Sequence, residues 1–253
     1  MTTIDLNADL GEGMGHDEDL LEIVSSASIA CGGHAGDAAT IRHILKYCKA
    51  RGVRAGAHPG YADPKRFGRF RVVMPLDQLL AQIRSQLFLV RFIADEVGVP
   101  LAYVKLHGAL ANQTAEELAF AVGIFAAIQA MNPKMAVLAL DNSQQVRAAK
   151  AVGMPLIREA YADRAYTADG LLVPRSAEGA VIHDSDAVIA RCLRLAKAGE
   201  IVAVDGTVLK SSARSICIHG DTPGAVDLAR DIRHALEDEG ITIGAVAPDA
   251  AAG

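Results

Sequence analysis

Short strand-like segments alternate with longer helical segments along most of the chain, and this alternation constrains the fold more than any other feature. The strand segments are apolar or alternate between apolar and polar residues, whereas the helical segments repeat apolar residues at helical spacing. Strands are predicted at residues 4–10, 28–31, 53–57, 101–106, 135–140, 155–160 and 215–219. Strands separated by helices pair in parallel through right-handed crossovers. The pattern predicts an α/β fold with one (β/α) barrel of seven strands, and an open doubly wound sheet is the alternative.

Residues that start or stop helices give further expectations. Asp17 is predicted to cap a short helix through Val24, and Asp37 and Ser143 are predicted to cap two later helices. Thr114 is predicted to cap a helix in a capping box with Glu117, and either Asp184 or Ser185 to cap another. Thr222, followed by Pro223, is predicted to cap the last helix. Residues 165–182 lack periodicity and are predicted to be irregular, and residues 201–204 and 207–210 are predicted to form a hairpin. The small, apolar residues 245–253 predict a flexible tail.

Composition and charge narrow the classes of function. The 253 residues fit one domain spanning residues 1–253, and 51% hydrophobic residues supply a sizeable core. The net charge of −5 and the scattered basic residues argue against a nucleic-acid or membrane partner. The four cysteines form no C-x-x-C pair, no signal-peptide pattern precedes the first strand, and the longest nearly apolar run is too short for a bilayer. We therefore expect free thiols and a cytoplasmic location.

The first predicted strand carries polar residues on one face. The sequence IDLNADL at residues 4–10 alternates strictly, so Asp5, Asn7 and Asp9 share a face opposite the apolar residues. An edge strand with one solvent-facing side explains this pattern, and so does a strand whose polar side chains point into a central cleft. The second interpretation is preferred because later strands also end in polar residues.

Ionisable residues gather at the carboxyl ends of the predicted strands. They are Asp9, His34, His58, Lys105, His107, Glu159, Asp163, His219 and Asp221. In a parallel barrel all of these strand ends meet on one face, which is where active sites form. A single strand-end histidine is often only structural, but such residues after six strands indicate an active site at this face.

The residues leave the chemistry open. Asp, His and Glu side chains from several strands could hold a divalent metal that activates water, or could carry out metal-free acid–base catalysis with Lys105 as an electrostatic clamp. The turns at Gly36-Asp37 and at residues 220–222 either bind an anion or only cap the following helix. Cys31 is interpreted as a buried cysteine rather than a nucleophile. The sequence contains no P-loop, H-E-x-x-H or G-x-S-x-G motif.

Eight motifs together resemble the LamB/YcsF family. They are DLNADLGEG at 5–13, IACGGHAGD at 29–37, GAHPGYAD at 56–63, FGR at 67–69, KLHGAL at 105–110, EAYADRAY at 159–166, LVPR at 172–175 and ICIHGDTPGAV at 216–226. The resemblance implies a glycoside hydrolase/deacetylase-like barrel. It also implies ATP-dependent opening of 5-oxo-L-proline to L-glutamate, in a 5-oxoprolinase with separate B and C subunits.

The implied reaction suggests roles for the strand-end residues. Phosphorylation of the amide oxygen would activate the lactam, and hydrolysis then needs a base for water, an acid for the ring nitrogen and cations for the phosphate. The predicted catalytic residues are Asp9, His34, His58, His107 and Glu159, and the predicted substrate-binding residues are Asn7, Lys105, Asp163, Arg164, His219 and Asp221. ATP is expected as a co-substrate of the complete enzyme, with phosphorylation by the partner subunits. The metal is left unassigned, and a homo-oligomer is left open.

Four positions depart from the family pattern. Gly33 stands for an aromatic residue, Gly60 for a serine, Leu106 for a proline and Ala111 for a tyrosine, while the polar positions are kept. These changes bear on pocket shape and substrate fit more than on the chemistry, and the substrate range is left open in case Gly33 and Ala111 widen the pocket. Two other functions compete on this barrel: a metal-dependent carbohydrate deacetylase, which the low aromatic content disfavours, and a non-catalytic subunit that binds 5-oxoproline.

Overall fold

The computed structural model describes residues 2–220 and 224–249. Within these residues the helices and strands follow in the order β1 (Thr3–Leu10), α1 (Asp17–Leu21), β2 (Ser26–Ala30), α2 (Ala38–Arg51), β3 (Arg54–His58), α3 (Leu76–Val97), β4 (Leu101–Val104), α4 (Gly108–Glu116), α5 (Leu118–Met131), β5 (Ala136–Leu140), α6 (Gln144–Val152), β6 (Leu156–Tyr161), α7 (Ser185–Ala198), β7 (Glu200–Val202), β8 (Val208–Lys210), β9 (Ser215–Ile218), α8 (Ala225–Asp238) and β10 (Thr242–Ile243). A 3₁₀ turn, Pro64–Arg66, lies in the loop after β3.

Seven parallel strands close into a barrel. The strands β1, β2, β3, β4, β5, β6 and β9 pair side by side in that order, and β9 pairs back onto β1 from Asp5↔Ser215 to Ala8↔Ile218. The seven-stranded barrel predicted from the sequence is therefore confirmed, and the open sheet is excluded. The predicted hairpin is also confirmed, because β7 and β8 pair in antiparallel fashion outside the barrel.

Both faces of β1 are buried, for different reasons. Its apolar residues belong to the main hydrophobic core, together with buried residues of the surrounding helices. Its polar residues contact partners from other barrel strands: Asp5 accepts a hydrogen bond from Ser26 at 2.6 Å, and Asn7 donates one to Ser215 at 2.9 Å. The strand is thus a central one whose polar face points into the barrel, and the edge-strand interpretation is wrong.

The end of the described chain closes the bottom of the barrel. Strand β10 pairs in parallel with the first residues of β1, Thr3↔Thr242 and Ile4↔Ile243. Val246 is then buried against Tyr103 and other core residues at the amino-terminal ends of the strands. Asp249 exchanges backbone hydrogen bonds with Leu156. The expected flexible tail is therefore wrong for residues 245–249, and residues 250–253 lie outside the described part.

Several helix boundaries follow the predicted caps. Asp37 and Ser143 accept hydrogen bonds from the backbone N–H groups of Thr40 and Gln145, and Asp184 caps α7 in the same way. The cap predicted at Asp37 is therefore confirmed, and the alternative of anion binding at this turn stays a prediction. The predicted cap at Thr222 falls outside the described residues.

Two other predicted caps are wrong. Asp17 lies inside α1, which ends at Leu21, and its carboxylate accepts the Gly11 N–H instead. Thr114 lies inside α4, which the sequence analysis missed, and its hydroxyl donates to backbone carbonyls of the preceding turn. Helices α4 and α5 meet at Glu117 with a bend of 119°. Among the described residues no single helix is long and apolar enough to cross a bilayer, and only this bent pair passes by length and composition.

Candidate active site

A buried lysine occupies the centre of the barrel near its carboxyl end. Lys105 directly follows β4, and its backbone N–H still donates to the Ala57 carbonyl of β3, which directs the side chain inward. Its Nζ lies 2.9 Å from Asp9 Oδ1 and 2.7 Å from Glu159 Oε1. Asn7 Oδ1 accepts a further hydrogen bond from Nζ at 3.2 Å. The lysine that follows β4 therefore reaches across the barrel and joins the carboxylates of β1 and β6, two strands separated only by β9, into one ion cluster.

The ion cluster sets unequal proton affinities. Burial would raise the pKa of Asp9, but the nearby His58 and Lys105 charges hold it well below its usual value. Burial raises the pKa of Glu159, and the attraction of Lys105 only partly offsets this. For Lys105, burial disfavours the charge, yet Asp9, Cys217 and Glu159 raise its pKa well above the usual value. Asp9 is thus an ionised carboxylate, and Lys105 is a permanent cation.

Three histidines and a glutamate form a second cluster beside the first. Glu12 Oε1 lies 2.9 Å from His34 Nε2, 3.2 Å from His107 Nδ1 and 3.7 Å from His58 Nε2. His58 Nε2 and His107 Nδ1 are 3.0 Å apart. The His34 and His107 rings stack with centroids 3.5 Å apart, and glycines 60 and 68 leave room for the stack. We call these four residues the imidazole cluster.

The proton affinities of the imidazole cluster are also shifted. Burial lowers the pKa of His34 to about 4 and also lowers that of His107. Burial would lower the pKa of His58 as well, but Asp9 outweighs it and raises the value. Burial would raise the pKa of Glu12, yet hydrogen bonds with His107 and His34 hold it far below its usual value.

A histidine–aspartate pair is the third group of polar side chains at this end of the barrel. His219 Nδ1 lies 2.7 Å from Asp163 Oδ1, and the His219 ring stacks on Tyr161. Burial would raise the pKa of Asp163, but the charge and hydrogen bond of His219 lower it. Candidate ligand atoms of Asp9, Cys217 and His219 all lie within 4.8 Å of one another. The His219–Asp163 pair therefore adjoins the Asp9 side of the ion cluster.

These groups surround a cavity of about 520 Å³. Its polar wall includes Asp9, Glu12, His58, His107, Arg164 and His219, and its rim includes Phe67, Arg69, Phe70, Ala111, Tyr161 and Arg175. Lys105 and Glu159 line a smaller recess next to it. A volume of this size is typical of small-molecule sites and leaves room around a single lactam ring.

The predicted site residues occupy different depths. Asn7 is fully buried below the cavity and orients Lys105, and His34 and Asp163 lie behind their cavity-facing partners. Arg164 reaches the wall while donating to the carbonyls of Val173 and Ala180, so it also fastens the irregular segment 165–182. Asp221 falls outside the described residues. The roles assigned to all of these residues stay predictions.

Two residues that sequence reasoning passed over shape the site. Glu12 was not among the predicted site residues, although it follows Asp9 between two glycines at a strand end. Gln86 of α3 bonds both the N–H and the carbonyl of Gly60. A Cβ on Gly33 would lie 2.2 Å from Gln86 Oε1, so Gln86 fills the space beside Gly33 and the pocket is not widened there. Ala111, by contrast, lines the cavity.

Cys31 is a structural residue. It is buried, its thiol donates to the Ile29 carbonyl at 3.1 Å, and its sulfur accepts the His58 backbone N–H at 3.2 Å. Burial raises the pKa of the thiol to about 12. The buried-cysteine interpretation is confirmed, and all four cysteines are free.

The chain is similar to one protein family and to several known proteins. The model of the LamB/YcsF family matches residues 4–251. The chain is 46% identical over 249 residues to a Streptomyces coelicolor protein named as the A subunit of 5-oxoprolinase, with 96% of this chain and 100% of the relative covered. A Nitrobacter hamburgensis protein of the same name is 44% identical over 247 residues, covering 95% and 97% of the two chains. The crystal structure of a lactam utilization protein from Thermus thermophilus superposes with a TM-score of 0.90 at 35% identity, covering 97% of this chain and 100% of that one.

Proposed function

This chain belongs to the LamB/YcsF family, and we propose that it is the A component of a 5-oxoprolinase, which hydrolyses the cyclic amide of 5-oxo-L-proline to L-glutamate. The names of the full-length relatives and of the Thermus structure support a cyclic amide as substrate. The observation that carries the proposal is the Asp9–Lys105–Glu159 ion cluster, in which Asp9 lines the cavity while Lys105 and Glu159 line the smaller recess beside it. It provides a carboxylate in the cavity wall, where an amide carbon could be held, and a buried cation in contact with that carboxylate.

We further propose that the complete reaction consumes ATP and that B and C subunits perform the phosphorylation. A five-membered lactam is a stable amide, and transfer of the γ-phosphoryl group of ATP to the amide oxygen gives a good electrophile and ADP. One water then adds to the ring carbon, the C–N bond breaks, and the resulting acyl phosphate is hydrolysed by a second water to L-glutamate and phosphate. The absence of a P-loop motif from the sequence supports assigning the phosphorylation to the partners.

Asp9 is suited to act as the base in the hydrolytic step. Its carboxylate lines the cavity and stays ionised because His58 and Lys105 stabilise its charge. It can therefore accept a proton from a water molecule placed against the activated ring carbon. Lys105 keeps its positive charge throughout and offsets the negative charge that develops on oxygen or phosphate.

His219 is suited to protonate the departing ring nitrogen. Asp163 holds Nδ1 of the ring, which leaves Nε2 as the atom that can exchange a proton with a ligand in the cavity. A carboxylate behind a histidine fixes its orientation and stabilises the imidazolium form. Because His219 and Asp9 lie close together, they can serve the two proton transfers of one hydrolytic step.

The test is a reconstitution that measures glutamate release from 5-oxo-L-proline and ATP. The chain alone, B and C subunits of a relative alone, and the three together are compared. We expect turnover only from the complete mixture. Robust turnover by the chain alone would contradict the division of labour, and equal turnover with and without the chain would contradict its role as the A component. Acetate release from an N-acetylated sugar oligomer by the chain alone would instead favour the deacetylase alternative.

A further inference from the structure

The imidazole cluster draws its four side chains from four successive strands of the barrel. Glu12 follows β1, His34 follows β2, His58 ends β3 and His107 follows β4. Each contributes one nitrogen or oxygen atom, and these four atoms all lie within 4.8 Å of one another. Glu12, His58 and His107 also line the cavity. In the proposed proton transfers through Asp9 and His219, His58 only stabilises the Asp9 carboxylate, and the other three residues of the cluster take no part.

The hydrogen bonds on the outer sides of two rings fix where their protons lie. His107 Nε2 is 2.9 Å from the Phe67 carbonyl, and His58 Nδ1 is 2.9 Å from the Lys105 carbonyl. A carbonyl oxygen only accepts, so both of these nitrogens carry the hydrogen. In the neutral rings, His107 Nδ1 and His58 Nε2 are then bare lone pairs that face each other at 3.0 Å. Two facing lone pairs repel unless a cation lies between them.

A single shared proton does not account for the rest of the cluster. It could bridge His58 and His107, but the Glu12 carboxylate is also directed at the same point, and so is His34 Nε2. On the other side of the His34 ring, Nδ1 is buried and has no hydrogen-bond partner within residues 2–220 and 224–249. The arrangement thus brings together four groups that can each present an electron pair to one point, which is the chemical requirement of a metal ion.

The spacing of the donors agrees with this requirement. Four ligands held about 2.0–2.1 Å from a tetrahedral ion are separated from one another by about 3.3 Å. The separations from Glu12 Oε1 to His34, His107 and His58 are 2.9, 3.2 and 3.7 Å, and His58 and His107 are 3.0 Å apart. These values bracket the expected distance, so small side-chain movements suffice to admit an ion.

We propose that Glu12, His34, His58 and His107 bind one divalent transition-metal ion in the wall of the cavity. Three imidazole nitrogens with one carboxylate favour zinc and its neighbours in the first transition series over calcium or magnesium, which prefer oxygen ligands. The carbonyls of Phe67 and Lys105 orient two of the ligand rings, as the outer partners of metal-bound histidines do. An ion at this position supplies a Lewis acid to a carbonyl or phosphoryl oxygen in the cavity.

Binding of the metal is independent of the proposed lactam chemistry, whereas its use as a Lewis acid rests on that proposed function. The experiment therefore measures binding to the single chain, without ATP, lactam or partner subunits. Protein treated with a chelator and then exchanged into metal-free buffer is titrated with Zn²⁺ against a chromophoric competitor. Substitution with Co²⁺ provides the second readout, because its visible spectrum reports coordination by imidazole nitrogen in a four-coordinate site.

Glu12→Gln and His34→Gln remove one ligand each, and the chain offers a matched control. His43 Nε2 lies 2.8 Å from Glu18 Oε1, which makes a similar contact on the surface with about half of each side chain exposed. We expect one Zn²⁺ per wild-type chain and an affinity at least about tenfold weaker in either cluster variant. His43→Gln should bind as the wild type does. Circular dichroism and the thermal midpoint of each metal-free variant verify that it is folded.

Three results would overturn the proposal. The first is a wild-type chain that takes up no stoichiometric Zn²⁺ or Co²⁺, which would indicate that a shared proton occupies the imidazole cluster. The second is binding that the folded cluster variants retain at full affinity. The third is binding that His43→Gln weakens as much as Glu12→Gln does, which would place the metal on the surface. None of these outcomes depends on whether the complete enzyme hydrolyses 5-oxo-L-proline.

Discussion

Replacing Lys105 with methionine removes the cation of the ion cluster and keeps most of the side-chain volume. The sequence alone predicts a catalytic loss with an intact fold. The structure changes that expectation, because Lys105 Nζ is the buried partner of both Asp9 and Glu159. Removing one partner of a buried ion pair typically costs about 3–5 kcal/mol. For a chain of this length, that corresponds to a fall in melting temperature on the order of 10 °C.

The loss should depend on pH in a defined direction. Without Lys105, the pKa of buried Glu159, which burial already raises, should rise further above its value in the unfolded chain. A carboxyl group whose folded pKa is raised loses stability as pH increases through and above its unfolded pKa. The stability gap between wild type and Lys105→Met should therefore be larger at pH 8 than at pH 5, and Lys105→Met/Glu159→Gln should recover part of it.

Urea unfolding of the three proteins at both pH values measures these differences. Lys210→Met is the matched control, because Lys210 Nζ lies 2.6 Å from Glu200 but its side chain is 79% exposed. It should show no resolvable change, as is usual for surface pairs. Wild-type stability in Lys105→Met, or a gap that widens as pH falls, would refute the buried ion cluster.

The remaining predictions concern the base, the thiols and the bottom of the barrel. Asp9→Asn should lower glutamate release in the reconstituted enzyme about a hundredfold or more, and an unchanged rate with a lower melting temperature would make Asp9 only structural. Iodoacetamide at pH 8 should leave native Cys31 unmodified because its thiol pKa is about 12, whereas rapid labelling of the folded chain would contradict its burial. Val246→Ala should cost about 1.5 kcal/mol in urea unfolding, while Val73→Ala, at a fully exposed position, should cost nothing measurable; equal effects would argue against Val246 as a core residue.

Local sequence patterns were sufficient to predict the strands of the barrel and most of its helices, because these strands and helices are regular. Strand β1 alternates strictly, and the helices begin at capping residues such as Asp37 and Ser143. The boundaries failed where a side chain had a tertiary partner. Asp17 bonds the Gly11 turn rather than its own helix, and the tail at residues 245–249 is held by the barrel floor. The tail contacts strands far away in the sequence, and the capping rules do not consider a glycine turn six residues before the helix, so neither contact was predicted.

In the candidate site, too, some contacts could be predicted from the sequence and others could not. The clustering of Asp9, Lys105 and Glu159 followed from their positions at strand ends, since parallel strands of one barrel end on the same face. Glu12 was missed because an acidic residue in a glycine turn is usually solvated. Whether Gly33 widens the pocket could not be decided from the sequence, because the space beside it is occupied by Gln86, from the middle of α3. Side chains that arrive from helices carry no strand-end signal.

The sequence by itself determined the order of the seven barrel strands, their parallel pairing and the face where polar groups meet, because these depend on periodicity and on the handedness of crossovers. Closure of the sheet into a barrel was decided by the pairing of β9 with β1. Only the tertiary structure decided which side chains form ion pairs and hydrogen bonds with each other. Lys105 joins Asp9 to Glu159 rather than facing solvent, and two backbone carbonyls decide which nitrogens of His58 and His107 are bare. Charges and lone pairs act over a few ångströms, and those distances exist only after strands far apart in sequence have closed into one barrel.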